Sequence, residues 1–205
     1  MTLELNRMSN RNKKLVYHLT AVSNLKSIQE RGLLSRHDLG GEILGFKDVA
    51  KPDILEGRKT YSLDKMVPFH FICKSPFDYG VIRANPKEAF ALLSVNRTYA
   101  QQSGWKILAR HPLSNGEPLE ILEWKEGISS INWNQMDRKD RDYSDNECKQ
   151  VCMAEALSPT AVHFDEIRCI FVATEKTKSR ILKEIGKKHE GLVLINPNML
   201  PKGCP

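Results

Sequence analysis

Four short stretches carry side chains that could do chemistry. The first is Tyr17-His18-Leu19-Thr20, followed by Asn24-Leu25. Side chains alternate along an extended chain, so His18 and Thr20 share one face and offer an imidazole and a hydroxyl together. The second is Arg58, at the end of a long charged loop. The third is MVPFHFICKSPFDY, Met66 to Tyr79, with aromatics at Phe69, Phe71 and Phe77. The fourth is Glu155 in VCMAEAL. Each also has an ordinary use: a core histidine, a solvated arginine, alternating core aromatics, a surface glutamate on a helix.

Several common chemistries are missing. Gly40-Gly41 and Gly45 lack the spacing of a dinucleotide-binding fingerprint, and there is no P-loop. Cys148 and Cys152 lie four apart, but no second pair completes a zinc site, so no metal is expected. His-Glu-x-x-His and Gly-x-Ser-x-Gly do not occur.

The elements that must position these residues follow from local pattern. Leu15–Leu19 reads as a strand. A helix follows over Ser23–Arg31, with Ser23 or Asn24 as its N-cap, Leu25 and Ile28 inward and Gly32 at its C-cap. Residues 35–65 read as a long, weakly structured and functional loop. Val67–Cys73 reads as a short strand whose Pro68 suits an edge or a strand start. Tyr79–Arg83, Ala89–Val95, Trp105–Ala109, Leu119–Trp124, Ile167–Ala173 and Leu192–Ile195 read as further strands. Asn96–Ser103, Asn132–Asp142, Asn146–Leu157 and the basic Thr177–His189 read as helical. Strands outnumber helices without regular alternation, which points to α+β.

The chain has 205 residues, 40% hydrophobic and 27% charged, which suits one domain. Residues 1–14 read as a basic tail and 15–205 as that domain. No apolar run approaches a membrane span, and the polar N-terminus lacks a signal core, so a cytoplasmic protein with five reduced cysteines is expected. A net charge of +6 and a pI near 9.0 suit an anionic partner.

Taken in order, Tyr17-His18-Leu19-Thr20, Asn24-Leu25, Arg58, Val67-Pro68-Phe69-His70-Phe71, Ser75-Pro76 and Ala154-Glu155 resemble the DarT-type DNA ADP-ribosyltransferases, toxins of bacterial toxin–antitoxin pairs. The resemblance covers roughly residues 15 to 185. His70 stands where that family usually carries an aromatic residue, and Arg36 is the alternative to Arg58 as the loop arginine.

The resemblance implies two packed, mostly antiparallel sheets split around an NAD cleft, with flanking helices. It implies NAD as co-substrate and a base in single-stranded DNA, thymidine or guanosine, as acceptor. Glu155 would stabilise the cationic ribose. Arg58 would stand where the base enters. His18, Thr20 and Asn24 would bind NAD, and Phe71, with Phe69 or Tyr79, would stack on nicotinamide. Arg110 and His111 would contact DNA. A separate antitoxin hydrolase, macrodomain-type or related, would be the protein partner of a monomeric toxin that blocks replication. RNA or protein as acceptor, and a non-catalytic nucleic-acid-binding module built on the basic helix, are the alternatives.

Overall fold

The computed structural model describes residues 8–40, 58–59, 61–111 and 119–204. Among these, eight strands form one sheet in the order β5-β4-β6-β2-β1-β3-β7-β8. They are β1 (Leu15–Ala21), β2 (Val67–His70), β3 (Phe90–Asn96), β4 (Lys106–Leu108), β5 (Leu122–Glu123), β6 (Glu155–Ser158), β7 (Ile167–Val172) and β8 (Val193–Ile195). All neighbours are antiparallel except β7 and β8. The helices are α1 (Leu25–Arg31), α2 (Arg36–Leu39), α3 (Pro76–Ala84), α4 (Arg97–Gln102), α5 (Trp124–Ser130), α6 (Trp133–Asp137), α7 (Asn146–Val151) and α8 (Glu175–Ile185). This is the expected α+β class. None of the helices described is long and apolar enough to cross a membrane.

The two sheets implied by the resemblance are hydrogen-bonded as one. Yet β1 and β2, the central neighbours, share a single registered pair, Tyr17 with His70. Beyond it the strands part, and the sheet is two four-stranded halves joined at one point. Pro68 belongs to this parting. Of the two places the sequence allows Pro68, an edge or a strand start, the structure has the second: β2 lies at the centre of the order and Pro68 is its second residue. The Pro68 carbonyl accepts from His18 Nδ1 at 2.8 Å, across the split. In an antiparallel strand the amide of a residue points the same way as its carbonyl. The donor that proline lacks therefore faces the gap, where no ladder needs it.

Two further readings are corrected. Residues 79–83 are helical, part of α3. Ser75 caps the helix by accepting from the Asp78 amide, Asp78 returns the bond to the Ser75 amide, and Pro76 opens the first turn. This capping box outweighs the strand preference of Tyr79, Val81 and Ile82. The helix expected over 146–157 stops at Val151, and Glu155 begins a strand paired on both sides, by β2 and β4. The expected strand at Leu119–Trp124 is reduced to Leu122–Glu123, with Trp124 opening α5.

Alternation on β1 divides the core. Val16 joins a large cluster with Phe69, Leu93, Trp105 and Ile181. Tyr17 and Leu19 join a smaller one with Val81, Ile82 and Phe171 under α3. Leu25 and Ile28 are buried, and Gly32 ends α1 at φ +82°, as the sequence suggests. Of the stretch read as a tail, residues 8–14 are described. Asn10 is buried and its amide nitrogen donates to Asp137 of α6. Most of the loop expected over 35–65, namely 41–57 and 60, lies outside the described residues.

Candidate active site

The register carries Tyr17, His70 and Glu155 onto one face, side by side across β1, β2 and β6. Glu155 is 4% exposed and so is Arg58. Nη1 of Arg58 donates to both carboxylate oxygens at 2.9 Å. Two residues separated by 97 positions thus form a buried ion pair. Nε and Nη2 of the same guanidinium are buried and find no acceptor among the described residues. A buried donor left without a partner costs about 1–3 kcal/mol, more for a charged group. Arg58 is therefore primed for a ligand bearing oxygen acceptors.

Three imidazoles surround this pair. His70 sits opposite Glu155 in the ladder, contacts the Ala154 carbonyl through Nδ1 at 3.3 Å, and packs its ring 5.6 Å from Phe77. His18 donates from Nδ1 to Pro68, which leaves Nε2 as an acceptor in the split. Burial lowers its pKa to about 4, opposed by the Pro68 bond and lowered further by Arg36 and His70. Burial also pushes His111 down, while Glu155 pulls it up and His70 and Arg58 push it lower. The charge of Glu155 thus reaches both His18 and His111, and that of Arg58 reaches His111. At neutral pH His18 and His111 are uncharged.

Thr20 and Asn24 are both buried, and the Asn24 amide donates to the Thr20 hydroxyl at 3.2 Å. Thr20 shares a face of β1 with His18, and Asn24 follows just after the strand. Arg110 is exposed beside His111.

Two expected cofactor residues lie elsewhere. Phe71 is fully buried in the core, 5.5 Å from Trp133 and 6.3 Å from Trp124, with the Arg97 guanidinium 4.9 Å over its ring. Both its faces are taken, because the chain leaves β2 at His70 and turns Phe71 into the large cluster. Tyr79 is carried outward by α3, 40% exposed, with its ring 6.2 Å from Tyr143. His70 is the site residue to which the sequence reading assigns no role. Its signal is the pairing of VPFH with EALS, which only the folded sheet reveals.

A split α+β sheet with a buried glutamate, an underused arginine and neutral imidazoles defines a transferase-like cleft without a dinucleotide-binding glycine loop. A family model described as "ssDNA thymidine ADP-ribosyltransferase, DarT" matches residues 17–200, and the chain belongs to that family. A DNA ADP-ribosyl transferase–DNA ADP-ribosyl glycohydrolase fusion protein of Thermosipho africanus is 26% identical over 184 residues, covering 85% of this chain and 46% of its own. The chain thus spans about half the length of the curated relative it matches. Thermus sp. 2.9 DarT in complex with ADP-ribosylated ssDNA has the same fold, with a TM-score of 0.76 at 20% identity over 92% of this chain and 96% of that one. The same protein with NAD+ gives 0.72 at 18% identity over 93% and 98%. Thermosipho africanus DarTG with ADP-ribose gives 0.72 at 21% identity over 91% and 51%.

Proposed function

We propose that the chain transfers ADP-ribose from NAD to thymidine in single-stranded DNA, releasing nicotinamide. The observation that carries the reading is the buried Arg58–Glu155 pair with two guanidinium nitrogens that find no acceptor among the described residues. Family membership supports it, as do the NAD+ and ADP-ribosylated ssDNA held by structures of the same fold.

NAD supplies an electrophilic ribose carbon and a leaving nicotinamide. Glu155 accepts a ribose hydroxyl and offsets the positive charge that builds on that ribose as the bond to nicotinamide breaks. The electron pair of that bond leaves with nicotinamide. His18 offers Nε2 as an acceptor to a ribose hydroxyl, and Thr20 and Asn24 line the same wall.

The base forms the new bond to the ribose carbon and gives up a proton, which for thymidine is its single ring N–H. A guanidinium stays protonated in proteins, so Arg58 does not take that proton. Its free Nε and Nη2 donors instead meet the base carbonyls as negative charge develops on them. The proton passes to water. The base must be unpaired to reach the ribose, which selects single-stranded DNA.

Incubation with labelled NAD and DNA oligonucleotides, followed by mass spectrometry of the nucleosides, tests the reading. Thymidine bearing one ADP-ribose per nicotinamide released is expected. Glu155→Gln should lower kcat by about 10²–10³-fold, the cost of one lost electrostatic contact to the transition state. Label on RNA or protein alone would overturn the DNA assignment. In cells the chain would act as a toxin that blocks replication, countered by an ADP-ribosyl hydrolase like the one fused to the Thermosipho relative. Growth arrest that such a hydrolase relieves is the expected outcome.

A further inference from the structure

We infer that Tyr79 and Tyr143 form a stacking platform for a nucleotide flanking the target base, set in a basic rim made by Lys74, Arg83, Arg141 and Lys149. The inference rests on single-stranded DNA being the acceptor. It starts from the sheet register. His70 ends β2 and Glu155 begins β6, and they are paired, so the segments that leave β2 and enter β6 lie at one end of the sheet. The first segment carries Lys74 into α3, where Phe77 packs on His70. The second descends from Arg141 through Tyr143 and α7. His111 also reaches this end, its amide bonded to the Gln150 carbonyl at 3.0 Å. The reactive centre and these two segments therefore share one end of the sheet.

Tyr143 ties them together. Its hydroxyl donates to the Lys74 carbonyl at 3.1 Å, which fixes the ring. Burial pushes its phenol well above the usual tyrosine range, so the ring stays neutral beside phosphates. Tyr79 stands against it at 6.2 Å and 58°, 40% exposed. A tyrosine so exposed on a helix has no core to fill. Arg83 lies one turn on along the same exposed face of α3. Lys149 is exposed on α7, and its charge reaches His111. Arg141 is half-buried, and its charge reaches the Tyr143 ring. Of the acids on this segment, Asp142 is turned to the Ser144 amide and hydroxyl, Asp145 caps α7 through the Glu147 and Cys148 amides, and Glu147 is exposed. An exposed Tyr79 ring braced by the half-buried Tyr143, in a rim of cations, offers what single-stranded nucleic acid needs: a face for a base and charge for the backbone. Such a platform takes any base, so it supplies affinity and positioning while the Arg58 pocket selects the target.

Tyr79→Ala and Tyr79→Trp test it, because an exposed helix position tolerates both. Fluorescence anisotropy with a labelled single-stranded oligonucleotide reads binding without catalysis. Tyr79→Ala should weaken binding by about 5- to 150-fold, the range for one lost base–aromatic stack. Tyr79→Trp should restore it. In turnover, KM for the oligonucleotide should rise by a similar factor while KM for NAD holds. The effect should vanish with oligonucleotides too short to carry flanking nucleotides. Arg83→Glu should weaken binding and flatten its salt dependence. Unchanged oligonucleotide affinity in Tyr79→Ala would overturn the platform, as would a rise in KM for NAD, which would put the ring on nicotinamide. Wild-type chain that binds the oligonucleotide through Tyr79 but never modifies it would instead refute the proposed transfer and leave the platform standing.

Discussion

Arg58 and Glu155 neutralise one another in a place where neither charge could stand alone. Removing one partner of a buried pair leaves the other uncompensated, at a cost of about 3–5 kcal/mol. Arg58→Ala should therefore lower stability by about that amount in denaturant titration, as well as abolish transfer. Glu155→Gln keeps an acceptor for Nη1 and should lose far less, which is why it is the better probe of chemistry. His18 gives a pH dependence of definite sign. Its folded pKa, about 4, lies below its ordinary value of 6.5. Between these pH values the unfolded chain binds more protons than the folded one, so stability rises with pH across the window. The contribution is complete above about pH 6.5 and lost as pH falls toward 4, worth at most roughly 3 kcal/mol. His18→Gln should flatten this acid limb of a stability–pH curve.

At the scale of elements, two local devices set the walls around the site. The Ser75–Asp78 capping box starts α3 and thereby brings Phe77 to His70. Ser75→Ala should cost about 1 kcal/mol, seen as a lower Tm. The other device is the close approach of α5 to β4. A Cβ built on Gly127 would lie 2.3 Å from Ile107 Cβ. Gly127→Ala must push the helix off the strand that pairs with Glu155 through Leu108. Overpacking of this kind costs about 1–3 kcal/mol, and both denaturation and kcat should register it.

Across the whole molecule, one arginine holds the start of the described chain to the sheet. Arg97 donates to the carbonyls of Asn10, Arg11, Leu15 and Phe71 and lies over the Phe71 and Trp133 rings. Burial lowers its pKa only to about 10, so the charge persists. Arg97→Met should take a donor from four carbonyls and destabilise by about 3 kcal/mol or more. Limited proteolysis should then cut near residues 8–14 faster than in the wild-type chain.

The sequence alone determined what is local or periodic. The alternation of LVYHLT made β1 and put His18 beside Thr20, and Gly32 and the Leu25/Ile28 spacing made α1. The run of Tyr-His-Leu-Thr, Val-Pro-Phe and Ala-Glu pointed to the family, because few chains carry all three in that order. What the sequence left open was set by partners far along the chain. Glu155 is a strand residue because β2 and β4 flank it, and VCMAEAL taken alone has equally good helical spacing. Pro68 sits at the sheet centre because the sheet parts beside it. Phe71 is in the core because Arg97 and Trp133 close over it, while Tyr79 faces outward because a three-residue cap turned its segment into a helix. The Arg58–Glu155 pair, which local spacing could not show, exists only because the fold brings residues 97 positions apart together. Chemistry by residue type was legible. Its arrangement depended on non-local pairing, where tertiary contacts outweigh local preference.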